Sequence, residues 1–136
     1  MKVFFDNCTS PVLASTLAGY IAHLGHAAHH IRHLPCGAAA PDLIWIEMLA
    51  QSKEEWIIVT GDGRIERNKA ERAAFRQAML KGFVLAPSYQ KTPLNQTAAI
   101  LVWRWPAMEN LIQSVAAPAL FELPINRSAR FKPLPL

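Results

Sequence analysis

Three aspartates stand where carboxylates can do chemistry. Asp6 closes the apolar run Val3-Phe4-Phe5, and Asp62 closes Trp56-Ile57-Ile58-Val59-Thr60-Gly61. Asp42 follows Pro41 at the head of a further apolar stretch. A short apolar, β-branched run that meets a turn signal reads as a strand buried on both faces. In open α/β sheets the functional crevice lies outside the carboxyl ends of such strands. Three carboxylates gathered there repel one another unless a cation joins them. A hard divalent ion with oxygen ligands meets that need. It also activates water and offsets charge on a phosphate, so the chemistry implied is phosphodiester hydrolysis. Each acid alone has an ordinary explanation: strand-end acids are often solvated, and an acid in a helix's first turn is favoured by the helix dipole. The recurrence at corresponding positions carries the functional reading.

The elements that must position these acids follow from pattern. Lys2 to Phe5 is the first strand. Ser10-Pro11 opens a helix, with Ser as cap and Pro at the first helical position. Its apolar face is Val12, Leu13, Leu17, Tyr20, Ile21 and Leu24, and Gly25 ends it. His26 to Ile31 is a second strand, and His33 to Ala40 is a loop marked by Pro35 and Gly37. Pro41-Asp42 starts a second helix, with Pro expected at its first position; it leads to the Trp56 strand. Gly63 to Arg67 reads as an exposed loop. Asn68 caps a third helix, Lys69 to Leu80, with Glu71 as its capping-box partner. Phe83 to Ala86 is a fourth strand, and Pro87 to Pro93 a loop. A fourth helix runs from Leu94 to about Trp105, where Pro106 is expected to interrupt it, with a further turn or two from Met108 to Val115. Leu120 to Leu123 is an edge strand between prolines. The segment from Asn126 reads as a mobile basic tail. The alternation predicts one α/β domain over residues 1–125. It has three layers, α/β/α, around a mostly parallel central sheet, followed by a basic tail over residues 126–136.

Composition bounds the class. With 136 residues, 51% of them hydrophobic and 18% charged, the chain suits a single domain and not disorder. No apolar run reaches the ~18 residues of a membrane span. The N-terminus leads directly into a strand, so no secretory leader is expected. Cys8 and Cys36 lack metal or redox spacing and read as free thiols of a cytoplasmic protein.

The stretch from Arg64 to Lys81 is rich in cations. Arg72 and Arg76 share a helix face, with Lys69 a turn earlier. Together with Arg64 and Arg67 they are a candidate RNA-contacting surface, against the default of a solvated helix face. His23, His26, His29, His30 and His33 cluster, but their spacing suits surface or edge-strand histidines better than a zinc site. Cys8 lies beside the Asp6 crevice, where packing is the favoured role. Trp103 and Trp105 cannot share a helix face, so at least one belongs in the core or in an oligomer contact.

Phe5-Asp6-Asn7, Asp42-x-x-Trp-Ile and Val59-Thr60-Gly61-Asp62 followed by Arg64-Ile65 together resemble the PIN-like nucleases. That superfamily includes the VapC toxins of type II toxin–antitoxin modules. The similarity spans residues 2 to 86 and is strongest to a short subgroup whose last acid precedes a basic, Ala- and Arg-rich helix. The resemblance implies an endoribonuclease using Mg²⁺ or Mn²⁺, with Asp6, Asp42 and Asp62 as metal ligands and catalytic residues. RNA, a cognate antitoxin and a second copy of the chain are the implied partners. Thr60 is placed to steady a carboxylate or a phosphate. Larger members carry a fourth acid, usually Glu, on an intervening helix. Here that interval is the loop His33 to Ala40, which has no acid, and Asn7, Glu47 and Glu66 are the candidates to replace it. Two rival classes are a catalytically silent PIN-like module that binds RNA or protein, and a phosphoacceptor domain. The second lacks the acid pair and the late Lys that its chemistry requires.

Overall fold

The computed structural model describes residues 1–136. Its strands are β1 (Lys2–Phe5), β2 (Ala27–His30), β3 (Trp56–Thr60), β4 (Lys81–Leu85), β5 (Ala119–Leu123) and β6 (Lys132–Pro133). Its helices are α1 (Pro11–Ile21), α2 (Asp42–Gln51), α3 (Arg64–Arg67), α4 (Lys69–Gln77) and α5 (Leu94–Ser114). The sheet order is β2-β1-β3-β4-β5-β6, parallel except for the antiparallel β5–β6 pair. The expected three-layer α/β/α architecture is therefore present.

Alternation along the strands divides the core in two, because successive side chains point to opposite faces. Val3, Phe5, Ile57, Val59, Phe83 and Phe121 pack under α1 and α5. Phe4, Ile58, Val84 and Leu120 pack under α2, α3 and α4, with Trp45, Ile65 and Phe75. Burial on both faces explains why the strands read as continuous apolar runs.

Local signals hold at several boundaries. Ser10 caps α1 by accepting from the Val12 amide at 3.2 Å. Asn68 caps α4 by accepting from the Glu71 amide at 3.1 Å. Gly25 ends the first helical segment in the left-handed region, at φ 82°.

The structure corrects the sequence reading in five places. Pro106 does not end its helix, since α5 runs unbroken from Leu94 to Ser114. The proline forfeits the bond to the Val102 carbonyl, a cost of about 3 kcal/mol. Leu101 and Trp105 before it and Met108 and Ile112 after it are all buried, which holds the two halves in line. Pro41 is the cap of α2, and Asp42 is its first helical residue. The loop after Asp62 forms the single turn α3, because Ile65 is fully buried and pins it. His30, on the edge strand β2, is buried and satisfied: its Nε2 meets the Thr9 carbonyl at 2.8 Å.

The fifth correction concerns the expected mobile tail. Residues 132–133 form β6, and Leu134 is buried. Buried Arg104 donates to the carbonyls of Asn126 and Arg127 at 3.0 Å each and of Ala129 at 2.9 Å. Its guanidinium also covers the Phe131 ring at 4.3 Å. Trp105 belongs to the core, whereas Trp103 is 64% exposed beneath the Arg127 guanidinium.

Candidate active site

β1 and β3 are neighbours with Phe5 beside Val59, so Asp6 and Thr60 emerge level at the carboxyl edge. The connections run to opposite sides here, which makes this the switch point where α/β sheets bind ligands. Asp6 is almost wholly buried. Its Oδ2 accepts from the Thr60 hydroxyl, and its Oδ1 from the Cys8 amide at 3.2 Å and the Gly61 amide at 3.5 Å. Gly61 is required for this approach. A Cβ there would stand 2.7 Å from the Cys8 carbonyl oxygen, which is backbone and cannot yield.

Asp62 is half-buried beside Asp6. Its Oδ1 accepts from the Arg64 amide at 2.7 Å, which ties it to the turn α3. Its Oδ2 accepts from the Cys8 thiol at 3.0 Å. Cys8 is thus an exposed residue at the site and not a packing residue. Partial burial of its sulfur, then the bond to Asp62, push the thiol up to about 12. It is no thiolate nucleophile at neutral pH.

Asp42 enters from α2. The Trp45 indole donates to its Oδ1 at 2.9 Å, and Trp45 is fully buried with its ring 4.6 Å from that of Phe4. An apolar anchor on β1 therefore fixes the first turn of α2 and with it Asp42. Burial raises Asp6 from 3.8 to about 7, against the bond from Thr60, and the charges of Asp62 and Asp42 add to the rise. The mutual influence places all three aspartates in one electrostatic neighbourhood.

Glu71 is the acid that the sequence reading missed. It lies on α4, 8% exposed, and faces Asp42. Burial first, then the charge of Asp42 and a hydrogen bond shared with it, raise Glu71 from 4.5 to about 7. Its Oε2 is buried without a hydrogen-bond partner. Only half of the expected capping box forms, since the Glu71 carboxylate turns to Asp42 and away from Asn68. A signal was available: Glu71 precedes Phe75 by four residues, which puts both on the buried face of α4.

Of the other candidates for a fourth acid, the Asn7 and Glu47 side chains are engaged elsewhere. Asn7 is exposed, and its amide donates to the Ala38 carbonyl at 3.1 Å. Glu47 is exposed and accepts from Gln51 on its own helix at 3.4 Å. Glu66 is half-buried, and its carbonyl receives Arg72 at 3.5 Å. Arg64, Arg67, Lys69 and Arg76 are exposed and Arg72 half-buried, and none of the five forms an ion pair with a carboxylate. Beside Cys8 a cleft of about 180 Å³ opens, lined only by uncharged groups such as Thr9, Ser10, Tyr89 and Thr97.

The PIN-like domain family matches residues 1–87, which is β1 through β4 with all the acids described. The chain belongs to that family. No curated protein and no solved structure matches it. PIN-like domains are generally nucleases, and they typically use divalent metals. The residues here suit such an ion in kind, since Asp6, Asp42, Asp62 and Glu71 offer hard oxygen donors and one buried oxygen lacks a partner. As they stand, no three of the Asp, Glu, His and Cys side chains converge as ligands of a single ion. The histidines, too, form no metal cluster. No helix is long and apolar enough to cross a membrane.

Proposed function

We propose that the chain is a Mg²⁺- or Mn²⁺-dependent endoribonuclease of the cytoplasm, acting as the toxin of a type II toxin–antitoxin pair. One observation carries the reading: buried Asp6 stands at the β1/β3 edge within the influence of Asp62 and Asp42, carboxylates from two other elements whose charges both add to its rise. Burying Asp6 close to two further carboxylates does not serve stability, because a desolvated charge beside charges of its own sign opposes folding.

Asp6, Asp42 and Asp62 would hold the ion. When bound, it supplies a Lewis acid for the phosphate and activates water for attack. Thr60 and the Cys8 and Gly61 amides fix the Asp6 carboxylate, and Trp45 fixes that of Asp42. Exposed Arg64, Arg67, Lys69 and Arg76, with half-buried Arg72, have no carboxylate ion-pair partner and would attract the RNA backbone. The uncharged cleft beside Cys8 suits a sugar or base next to the scissile phosphate. Exposed Val12 and Trp103 offer an apolar face to the antitoxin or to a second copy of the chain.

Purified protein is expected to cut single-stranded RNA with Mg²⁺ or Mn²⁺, and Asp62→Asn to cut no faster than a metal-free control while keeping its circular dichroism. Undiminished cleavage by Asp62→Asn would overturn the site. Expression alone is expected to arrest growth, and Asp6→Asn to relieve the arrest at equal protein level. A second reading, a silent RNA- or protein-binding module, is favoured by the acids not converging on one point as they stand. Wild type that binds RNA but neither cuts it nor arrests growth would establish that alternative.

A further inference from the structure

The structure holds a buried carboxylate that the three-aspartate site does not use. Glu71 sits on α4, the helix after the last aspartate, and not in the interval where larger PIN-like domains carry their extra acid. It is 8% exposed, yet its Oε2 has no hydrogen-bond partner. The charged groups that act on it are Asp42, Asp62 and Arg64. Arg64 is exposed and makes no ion pair with it. Its nearest charged company is therefore acidic.

Such an arrangement is costly for an apo protein, since a buried carboxylate needs either a proton or a cation. Apolar residues would suit the place better if packing were all that mattered. The same helix face carries Phe75, fully buried in the core beneath α2 and α4. That anchor holds Glu71 against the start of α2. Asp42 is itself held by the Trp45 indole through Oδ1.

We propose that Glu71 is a fourth metal ligand of this chain, pairing with Asp42 on the α2/α4 side of the divalent ion. The ligand supplied elsewhere in the family by an intervening helix comes here from a helix on the far side of the last aspartate. This assignment rests on the nuclease reading above.

The test is Mn²⁺ alone, titrated into the intact protein by calorimetry and by the loss of the free-ion magnetic resonance signal. Wild type, Glu71→Gln, Glu71→Asp and Asp62→Asn are compared, with melting temperatures recorded with and without the ion. Glu71→Gln is expected to weaken Mn²⁺ binding by about tenfold or more. It should also melt higher than wild type without metal and gain less from Mn²⁺. Glu71→Asp keeps the charge on a shorter stem and is expected to bind with intermediate affinity, and it serves if the Gln variant folds poorly. Wild-type affinity in both Glu71 variants, with binding lost in Asp62→Asn, overturns the fourth ligand and leaves the nuclease site standing. Absence of Mn²⁺ binding by wild type overturns both.

Discussion

Arg104 and Glu71 are almost equally buried, at 6% and 8% exposed, yet their surroundings are opposite. The Arg104 guanidinium meets three carbonyl oxygens and an aromatic ring, all from the segment 126–131. Glu71 meets no partner for one oxygen and faces other acids. The first charge replaces the water it loses with protein dipoles, so it can tie down the C-terminal chain. The second replaces its water with repulsion, which only a proton or a cation relieves. Arg104 is a buried charge fully supplied with partners, whereas Glu71 is one left short of them. The two also divide along the family boundary, with the acids inside residues 1–87 and the Arg104 clasp outside.

The contrast can be broken first at Asp6, where the effect should be largest. Its carboxyl is raised from 3.8 to about 7 in the fold. Because the folded value lies above the unfolded one, its contribution is fully present below about pH 4 and is lost as pH rises through about 7. Metal-free Asp6→Asn should therefore match wild type near pH 4 and exceed it at pH 8 by up to about 4 kcal/mol. Urea unfolding at the two pH values measures this, and parallel pH profiles would contradict the repulsion argument.

Next is Arg104→Ala, which strands three carbonyls and frees the tail. We expect a loss of about 3 kcal/mol, with Arg104→Lys recovering only part because it lacks the planar fork. Amide exchange should speed up over residues 126–134 while Mn²⁺ affinity stays at the wild-type value. A loss below about 1 kcal/mol would mean that the tail is held by Leu134 and the β5–β6 pair and not by the clasp.

The smallest effect is expected from charges on the surface. Arg72→Glu with Arg76→Glu should weaken RNA binding by about tenfold and flatten its logarithmic salt slope by about 2. Stability should change by less than about 0.5 kcal/mol from Arg76, which is exposed, and somewhat more from half-buried Arg72. Affinity measured at several salt concentrations with Ca²⁺ in place of Mg²⁺ reads binding without cleavage. An unchanged slope would make this helix ordinary solvated surface.

Much of the frame was legible because its signals are local. The apolar runs at Val3 and Trp56, the Ser10-Pro11 start, the Asn68 cap and the Gly25 stop each act within a few residues. The aspartates were legible as candidates because a strand end followed by a turn places a residue at the sheet edge whatever else the chain does. Pro106 misled because its cost is local, whereas the burial that outweighs it, from Leu101 to Ile112, is tertiary. Cys8 misled similarly, as its role depends on Asp62, 54 positions away.

By itself the sequence determined the α/β class, the three aspartates and the family pattern that joins them, since periodicity, caps and strand-end turns need no distant partner. Only the tertiary structure decided that β1 and β3 are neighbours, that Arg104 clasps residues 126–131 ahead of the short strand β6, and that Glu71 turns from its own helix cap toward Asp42. Those outcomes depend on which faces pack together. Glu71, in the first turn of α4, can be brought against Asp42, at the start of α2, only when the two helices share one side of the sheet.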